Sequence, residues 1–317
     1  MFRVSVLVFL LVFPSSVQAW WECGHHIIAL LAYEQLPKAK QEKLYAVLKS
    51  HPNFSVDFEP EGKVRNVPRW QVGRTGYWPD VARQYDEFNR PSWHYQLGPT
   101  IVVGERGVDV DVPQIPGPVP GTADLNTREL HIAQAYDLCA KIMADQNAKP
   151  ADRALALCWL AHLVGDSHQP CHAGSLYVKD LFPDGDRGAN RIRTVQRRNL
   201  HALWDSLLGD QFDEADIERR MFEIKSDKRL WASARRAAQQ PGDESILVWL
   251  EESRALGEGV VYSTDVGDAI KAAQRSGRSE LEVVDLSEVY LKNAGRIAQQ
   301  RAAFAAFRLA RIWNECL

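Results

Sequence analysis

Histidine and aspartate are concentrated in the stretch from His162 to His172. His162 and Asp166 are four residues apart, so a helix would place both side chains on one face. The preceding run, 154–161, is apolar and predicts a buried helix, and Pro170 would then turn the chain so that His172 returns from another direction. An unpaired buried charge is costly, so a cation is the natural partner for three such side chains.

A second pair repeats this spacing, because His201 and Asp205 are also four residues apart in a largely apolar segment. Taken alone, such a pair can be a helical surface contact that stabilises by only a few tenths of a kcal/mol. His25, Asp80 and His94 are also weak signals individually. Together these residues supply imidazoles and carboxylates without the paired thiolates of a structural site, and mixed nitrogen and oxygen ligation with open positions suits hydrolytic zinc.

The N-terminal segment has the pattern of a secretory signal peptide over residues 1–19. Arg3 precedes the apolar run 6–13, and small residues lead up to Ala19. We expect cleavage after Ala19, which leaves Trp20 with a free α-amino group. No later segment is apolar for long enough to span a bilayer, so the pattern predicts an exported, soluble protein in the periplasm or the medium.

Residues 20–317 are expected to form a single domain, and the formal net charge of the chain is −3. A strongly basic footprint is absent, so binding of long duplex nucleic acid by phosphate neutralisation is not supported. An anionic substrate would be captured locally, by metals or a few arginines. The five cysteines allow two bridges, and we consider one between Cys23 and Cys171, beside the proposed ligands; the alternative is that both are buried thiols.

Apolar periodicity predicts a mainly α chain with long loops and no internal repeat. The predicted helices cover 23–36, 41–49, 78–85, 130–146, 151–163, 198–208, 213–225, 228–236, 243–256 and 286–313. The polar segment 51–76 predicts a loop, 92–97 an extended segment and 101–112 a small β-hairpin.

In their order along the chain, these motifs resemble the zinc-dependent single-strand-specific nucleases of the S1/P1 type. The resemblance covers the chain from Trp20 onwards, and it implies a single-domain helical fold of the phospholipase C/nuclease type. The motifs are Trp20 with Gly24-His25, Trp78-Pro79-Asp80, Trp93-His94-Tyr95, His162 to His172 with Asp166 and Gln169-Pro170, Asn199-Leu200-His201 with Trp204-Asp205, and Trp249 with Glu252-Ser253.

The resemblance implies a site for three Zn²⁺ ions, with Asp166 bridging the first two. One ion would take Asp80, His94, His162 and Asp166; a second would take the α-amine and carbonyl of Trp20 with His25 and Asp166; the third would take His172, His201 and Asp205. It assigns no metal to the other four histidines, His26, His51, His131 and His168.

The activity that the resemblance implies is hydrolysis of single-stranded DNA and RNA to 5′-phosphorylated nucleotides, with 3′-nucleotidase activity. Two cations roughly 3.5 to 4 Å apart can share a hydroxide, and the third can stabilise the leaving oxygen. Asp80 and Asp166 would act in catalysis, and Arg83 matches the position that contacts the phosphate. For Arg83, a solvated helix face is the alternative.

Base binding would involve Tyr95, Gly188 and Asn190, with the unstacked base lying on the tyrosine ring. Leu97 stands where the family often has Asp, and the usual Gly-Gly-Asn reads Gly188-Ala189-Asn190. These departures predict tolerance of several bases rather than a purine preference. No protein partner and no membrane contact are implied, and we expect a monomer.

Two alternatives use the same residues. A phospholipase C-like enzyme would act on a phosphodiester with a lipid leaving group, although Asp205 stands where that branch tends to have Glu and no amphipathic membrane-binding helix is evident. A zinc-stabilised binding protein would need the metals for folding but would catalyse nothing.

Overall fold

The structure is a computed structural model that describes residues 20–243 and 245–317. It is mainly helical with one two-stranded sheet, which confirms the predicted fold class. The predicted signal peptide, residues 1–19, lies outside the described residues. No described helix is both long and apolar enough to cross a membrane.

The helices of the described chain include five before the first strand and nine after it. The first five are α1 (Glu22–Glu34), α2 (Lys38–Leu48), α3 (Phe54–Asp57), α4 (Val67–Arg74) and α5 (Trp78–Val81). After β1 (Gly98–Val103) come α6 (Ile132–Ala144), α7 (Pro150–Ser167) and α8 (Pro170–Ala173), then β2 (Gly174–Val178), α9 (Leu200–Ser206), α10 (Glu214–Ser226), α11 (Lys228–Ala237), α12 (Ile246–Leu256), α13 (Thr264–Arg275) and α14 (Glu288–Cys316). Short 3₁₀ turns cover Ala82–Gln84 and Pro91–His94, and a π-helical turn covers Gly257–Val261.

Helix α7 runs through the centre of the larger hydrophobic core. Pro150 opens it, where its missing N–H costs nothing, and every residue from 154 to 167 is buried. Helices α1, α2, α6 and α14 pack around it. A helix buried on all sides keeps water from its polar residues, so the two ionisable groups near its C-terminus must find partners inside the protein.

A second, smaller core lies on the other side of the stretch from His162 to His172. It joins Leu176 and Val178 of β2, Leu200 and Trp204 of α9, and apolar residues of α13 and the N-terminal half of α14. Trp204 Nε1 donates a hydrogen bond to the hydroxyl of Tyr290 at 2.9 Å, which satisfies the buried indole. The two cores therefore hold α7 and α9 from opposite directions.

The predicted hairpin at 101–112 is wrong. Strand β1 pairs in parallel with β2, starting with Gly98 opposite Gly174. Parallel strands cannot be joined by a tight turn, and here helices α6, α7 and α8 lie between them in the chain. The alternation of side chains predicted a strand, but its partner is distant in sequence.

Three other sequence predictions are also corrected. The segment predicted as a loop, 51–76, contains α3 and α4; Asn66 caps α4 by accepting a hydrogen bond from the amide of Arg69 at 3.1 Å. The segment predicted as extended begins as the turn Pro91–His94. Helix α13 was not predicted, because its polar sequence hides a narrow buried stripe of Val266, Ile270 and Ala273.

The cysteine bridge considered for Cys23 and Cys171 does not form. All five cysteines are free and buried. Cys23 Sγ lies 3.5 Å from the carbonyl oxygen of Leu208, in the larger core, whereas Cys171 belongs to the smaller one. Burial raises the pKa of Cys23 to about 12, so this thiol stays protonated at neutral pH.

A buried ionic network ties α14 to the end of α7. Arg308 is fully buried, and its guanidinium donates hydrogen bonds to both carboxylates of Asp243 and Glu252. Its Nη1 also donates to Nε2 of His168 at 2.7 Å, while Nδ1 of His168 donates to the carbonyl oxygen of Val164 at 2.7 Å. Arg301 donates to the carbonyl oxygen of His168 at 3.2 Å. The network therefore fixes the turn that follows α7.

We expect Arg308→Met to lower the free energy of unfolding by about 3 to 5 kcal/mol, because it leaves the buried carboxylate of Asp243 and the partly buried carboxylate of Glu252 without their main cation. Chemical denaturation of the metal-free protein measures this. Arg296→Met is the matched control, since Arg296 lies exposed on the same helix and contacts only Asn293; it should shift stability by about 0.5 kcal/mol or less. Equal losses in both variants would contradict the network.

Candidate metal centre

Three groups of buried side chains bring potential ligand atoms within 4.8 Å of one another. The groups are His25, His162 and Asp166; Asp80, His94 and His162; and His172, His201 and Asp205. All eight of these residues were predicted from the sequence as ligands. The structure therefore gathers them at one place, with His162 shared between the first two groups.

Six different elements supply these side chains. His25 lies in the first turn of α1, Asp80 in α5, His94 in the Pro91–His94 turn, His162 and Asp166 in the last two turns of α7, His172 in α8, and His201 and Asp205 in α9. Gly165 lets α1 and α7 approach closely, because a Cβ there would lie 2.8 Å from Nδ1 of His25. The spacing of four residues on α7 and α9 works as predicted, since each pair shares one helix face.

The carboxylate of Asp166 lies at the centre of the first two groups. Its oxygens are 3.2 Å from Nε2 of His25, 3.1 Å from Nε2 of His162 and 3.3 Å from Nδ1 of His94. The side chain is completely buried, and neither oxygen accepts a hydrogen bond. A carboxylate in this position has ring nitrogens on several sides.

The third group is linked to the others through His172. Its Nε2 lies 3.1 Å from Nε2 of His201, which is 3.5 Å from the carboxylate of Asp205. Nδ1 of His172 is 3.9 Å from the carboxylate of Asp166. The amide of Gln169 donates a hydrogen bond to Asp205 at 2.7 Å and so fixes the carboxylate that faces His201.

Backbone carbonyls orient three of the imidazoles. Nδ1 of His162 donates to the carbonyl oxygen of Gly76 at 2.7 Å, Nδ1 of His172 to that of His94 at 2.6 Å, and Nδ1 of His201 to that of Gly188 at 2.6 Å. A carbonyl oxygen can only accept, so the proton of each neutral ring sits on Nδ1 and the lone pair on Nε2. Such an outer hydrogen bond is the usual support of a metal-binding histidine.

Burial sets the charge states of the cluster. It lowers the pKa of His162 and of His201 to about 4, and it lowers the pKa of His25 well below its ordinary value. The imidazoles are therefore neutral at pH 7, as metal ligation requires. Burial also raises the pKa of Asp166 and of Asp205 well above the ordinary value of a carboxyl, because a buried negative charge lacks solvation.

The unpaired atoms at this place fit metal ions. Both ring nitrogens of His25, Nε2 of His94, Oδ2 of Asp80 and both oxygens of Asp166 are buried without a hydrogen-bond partner. Buried polar atoms are normally paired, and six unpaired ones on four neighbouring residues are unusual. Divalent cations would satisfy them together, since the unpaired atoms are all nitrogen or oxygen donors.

Arg83 and Trp20 also lie at this cluster. Arg83 Nε donates to Asp80 at 2.8 Å, and its Nη atoms make no hydrogen bond within the described residues. Trp20 is completely buried; its indole nitrogen donates to the carbonyl oxygen of Gly165 at 3.0 Å, next to Asp166. The following amide, of Trp21, donates to the carbonyl oxygen of Asp205 at 3.0 Å. The chain therefore begins its described part against α7 and α9.

A pocket of about 430 Å³ opens beside the third group. It is lined by Tyr95, Leu97, Cys171, His172, Arg187, Asn190 and His201. Two of the predicted substrate-binding residues, Tyr95 and Asn190, line it. Tyr95 is 37% exposed, so part of this residue is available to a ligand.

Gly188, the third predicted substrate-binding residue, is not on the wall of this pocket but behind His201. Its φ of +62° is in the left-handed region, and a Cβ there would lie 2.1 Å from the carbonyl oxygen of Cys171. Glycine is required at this place because of its backbone conformation and the closeness of Cys171, and its carbonyl oxygen accepts the hydrogen bond from His201.

The other four histidines have structural neighbours. His26 packs on Trp70, His51 lies between Phe58 and Trp78, and His131 caps α6. His168 belongs to the Arg308 network described above.

Sequence reasoning missed the hydrogen-bond partners that orient the ligands. Gln169 was noted in the motif but given no role, and the three carbonyl acceptors, of Gly76, His94 and Gly188, carry no side-chain signal at all. The position of Gln169 could have indicated its role, because its side-chain amide lies between two ligands on a buried turn and needs hydrogen-bond partners.

Comparison with known proteins gives the family. The S1/P1 Nuclease family matches residues 20–317. A 56-residue segment is 43% identical to Endonuclease 4 and 39% identical to Endonuclease 3, both of Arabidopsis thaliana. Each match covers 17% of this chain and 16% of the relative. Because the family match spans all of the described residues, the chain belongs to the S1/P1 nuclease family.

Proposed function

We propose that this protein is an exported, zinc-dependent nuclease that hydrolyses single-stranded DNA and RNA to 5′-phosphorylated nucleotides and removes phosphate from 3′-nucleotides. The observation that carries the proposal is the carboxylate of Asp166, buried without a hydrogen bond among neutral imidazoles. Family membership supports a nuclease, and the three groups of ligand atoms support a site for about three ions.

Zinc is the metal that the donors favour. The groups contain imidazole nitrogens and carboxylate oxygens and no thiolate, as in hydrolytic rather than structural zinc sites. When bound, the ions would supply a water of lowered pKa and neutralise charge that develops on the phosphate. Asp166 would hold the first two ions together, because each of its oxygens faces a different imidazole.

Arg83 would bind the phosphate. Its Nε is fixed by Asp80, so the guanidinium is oriented while both Nη atoms remain available, and a guanidinium can engage two phosphate oxygens at once. The side chain is 19% exposed, which keeps this cation at the edge of the cluster rather than inside it. Asp80 thus has two tasks: ligand to a metal and support for Arg83.

Preference for single strands would come from the pocket beside the third group. Its volume of about 430 Å³ suits one unstacked base and its sugar, and the exposed part of Tyr95 would stack on that base. A base inside a duplex is stacked on both sides and would have to be flipped out first, at a cost of a few kcal/mol.

Asp166→Ala is expected to lose at least one metal and nearly all turnover of denatured DNA, because it removes the carboxylate shared by two ions. Metal analysis of the processed protein should give about three zinc ions per chain for the wild type, and a chelator should abolish its activity. Asp145→Ala is the control, since Asp145 is exposed and bonds only to neighbouring backbone. Full metal content and activity in Asp166→Ala would refute the site.

The same assay separates the lipid-directed alternative. Denatured DNA, a 3′-nucleotide and phosphatidylcholine are offered to the zinc-loaded protein in parallel. We expect nucleotide and phosphate release with no turnover of the lipid. Turnover of the lipid alone would contradict the proposal, and zinc that restores folding but no hydrolysis would favour a non-catalytic protein.

The α-amine of Trp20 would be a ligand of the second ion. This can be tested by changing the residue at which the processed chain begins. A chain that begins one residue earlier, at Ala19, has a peptide nitrogen in place of the amine, and such a nitrogen has no lone pair for zinc. We expect that chain to bind about two zinc ions instead of three, measured by metal analysis after dialysis. Equal zinc content in both chains would rule the amine out as a ligand.

Gln169→Ala is expected to weaken binding of one zinc ion about 10- to 100-fold, because Asp205 loses the donor that orients it. Competition with a fluorescent zinc chelator measures the affinity of each ion. Gln146→Ala is the control, since Gln146 is exposed and contacts only backbone carbonyls. Unchanged affinity in Gln169→Ala would show that Asp205 needs no such support.

A further inference from the structure

The pocket beside the third group contains an arginine that the proposed reaction does not use. Arg187 lines the pocket opposite no carboxylate, because none of the other lining residues is acidic. Its guanidinium makes no hydrogen bond and no ion pair within the described part of the chain. Arg187 is exposed at the pocket, so its guanidinium can donate hydrogen bonds to a base that enters from solvent.

The neighbouring carboxylates are already engaged elsewhere. Asp184 pairs with Arg191 at 2.5 Å, and Asp186 is completely buried, where it accepts hydrogen bonds from the hydroxyl of Ser175 at 2.9 Å and the amide of Leu176 at 3.0 Å. Neither forms an ion pair with Arg187, although Asp184 interacts electrostatically with it, more weakly than with Arg191. The hydrogen-bond donors of Arg187 are therefore not taken by either carboxylate.

The backbone holds Arg187 in place. Its φ of +59° is in the left-handed region, followed directly by Gly188 at +62°. The side-chain amide of Asn190 donates to the carbonyl oxygen of Arg187 at 2.9 Å, which stabilises this turn. Conformations of this kind are kept only where the surroundings fix them. The backbone position from which the guanidinium extends is therefore fixed on the pocket wall.

The remaining lining side chains offer few free acceptors. Oδ1 of Asn190 already accepts a hydrogen bond from Asn199 at 3.3 Å, and Asn199 in turn caps α9. Leu97 presents only methyl groups at its side-chain end. An exocyclic amino group would therefore meet no carboxylate in this pocket, whereas a carbonyl oxygen would meet Arg187.

The four bases differ in the group that they present. Guanine carries O6 and uracil or thymine carries O4 as an acceptor, whereas adenine and cytosine carry an amino group at the corresponding position; N7 is an acceptor in both purines and does not distinguish them. A guanidinium donates and cannot accept. On the basis of the proposed nuclease function, we propose that Arg187 is a specificity-determining residue that selects guanine, uracil and thymine over adenine and cytosine.

The test compares kcat/KM for the four 3′-mononucleotides, with the zinc-loaded protein. Guanine is compared with adenine, and uracil with cytosine, so that ring size and stacking are matched within each pair. We expect guanine to be favoured about tenfold over adenine, and uracil about tenfold over cytosine, mainly through KM, since good hydrogen bonding to a base edge discriminates by roughly this amount.

Three variants identify the source of the selectivity. Arg187→Met should reduce both ratios to about one by raising KM for guanine and uracil, leaving adenine and cytosine nearly unchanged. Leu97→Asp should improve adenine and cytosine, because a carboxylate accepts from an amino group. Arg278→Met is the control that should leave both ratios intact, since Arg278 is exposed and pairs with Glu282 outside the pocket lining.

The outcomes separate this inference from the proposed function. If all four nucleotides are hydrolysed with equal efficiency, the selectivity is overturned and the nuclease stands. If Arg187→Met lowers kcat/KM equally for all four, Arg187 attracts the phosphate rather than the base, and the inference is again wrong. If none of the four is hydrolysed while the protein holds its zinc, the proposed 3′-nucleotidase activity fails and the selectivity with it.

Discussion

The structure depends on the burial of one carboxylate, that of Asp166. Asp166 is completely buried on a helix that is itself surrounded by other helices, and it has no hydrogen bond. Burial of this kind costs several kcal/mol when the group is charged and unpaired. The neutral imidazoles around it cannot supply a positive charge, so the group is stable as an anion only when cations occupy the space between them.

A site that assembles around cations needs a frame that does not collapse without them. Here the frame is the turn from Ser167 to Gln169, directly after the central carboxylate. Ser253 donates to the carbonyl oxygen of Ser167 at 2.6 Å, Arg301 donates to that of His168 at 3.2 Å, and Gln169 holds Asp205. Helices α12 and α14 thus fix the ligands of α7 and α8 from more than 80 residues away in the chain. The two buried arginines of α14, Arg301 and Arg308, are costly in isolation, and their hydrogen bonds fix this turn.

The parts of the site that could be predicted from sequence are those that depend on helical spacing. His162 with Asp166, and His201 with Asp205, share a helix face because 3.6 residues make one turn, whatever the rest of the fold does. The parts that could not be predicted depend on contacts between distant segments. The parallel partner of β1, the carbonyl that meets each imidazole and the arginine that meets His168 all require the tertiary fold. Short helices such as α3 and α4 were missed for the same reason, since Trp70 is buried by neighbours that the local sequence does not contain.

The metal ligands and the neighbouring pocket are held in place by different parts of the chain, so the residues of the pocket can vary separately from the ligands. Three imidazoles are held by backbone carbonyls, which substitution of side chains leaves in place. The pocket that would take the base is instead lined by side chains, and its one cation, Arg187, is bound to nothing else among the described residues. Changing such a residue alters what the pocket accepts without disturbing the hydrogen bonds that orient the ligands. Main-chain geometry thus orients three of the imidazoles, while recognition of the base would rest on a few replaceable side chains.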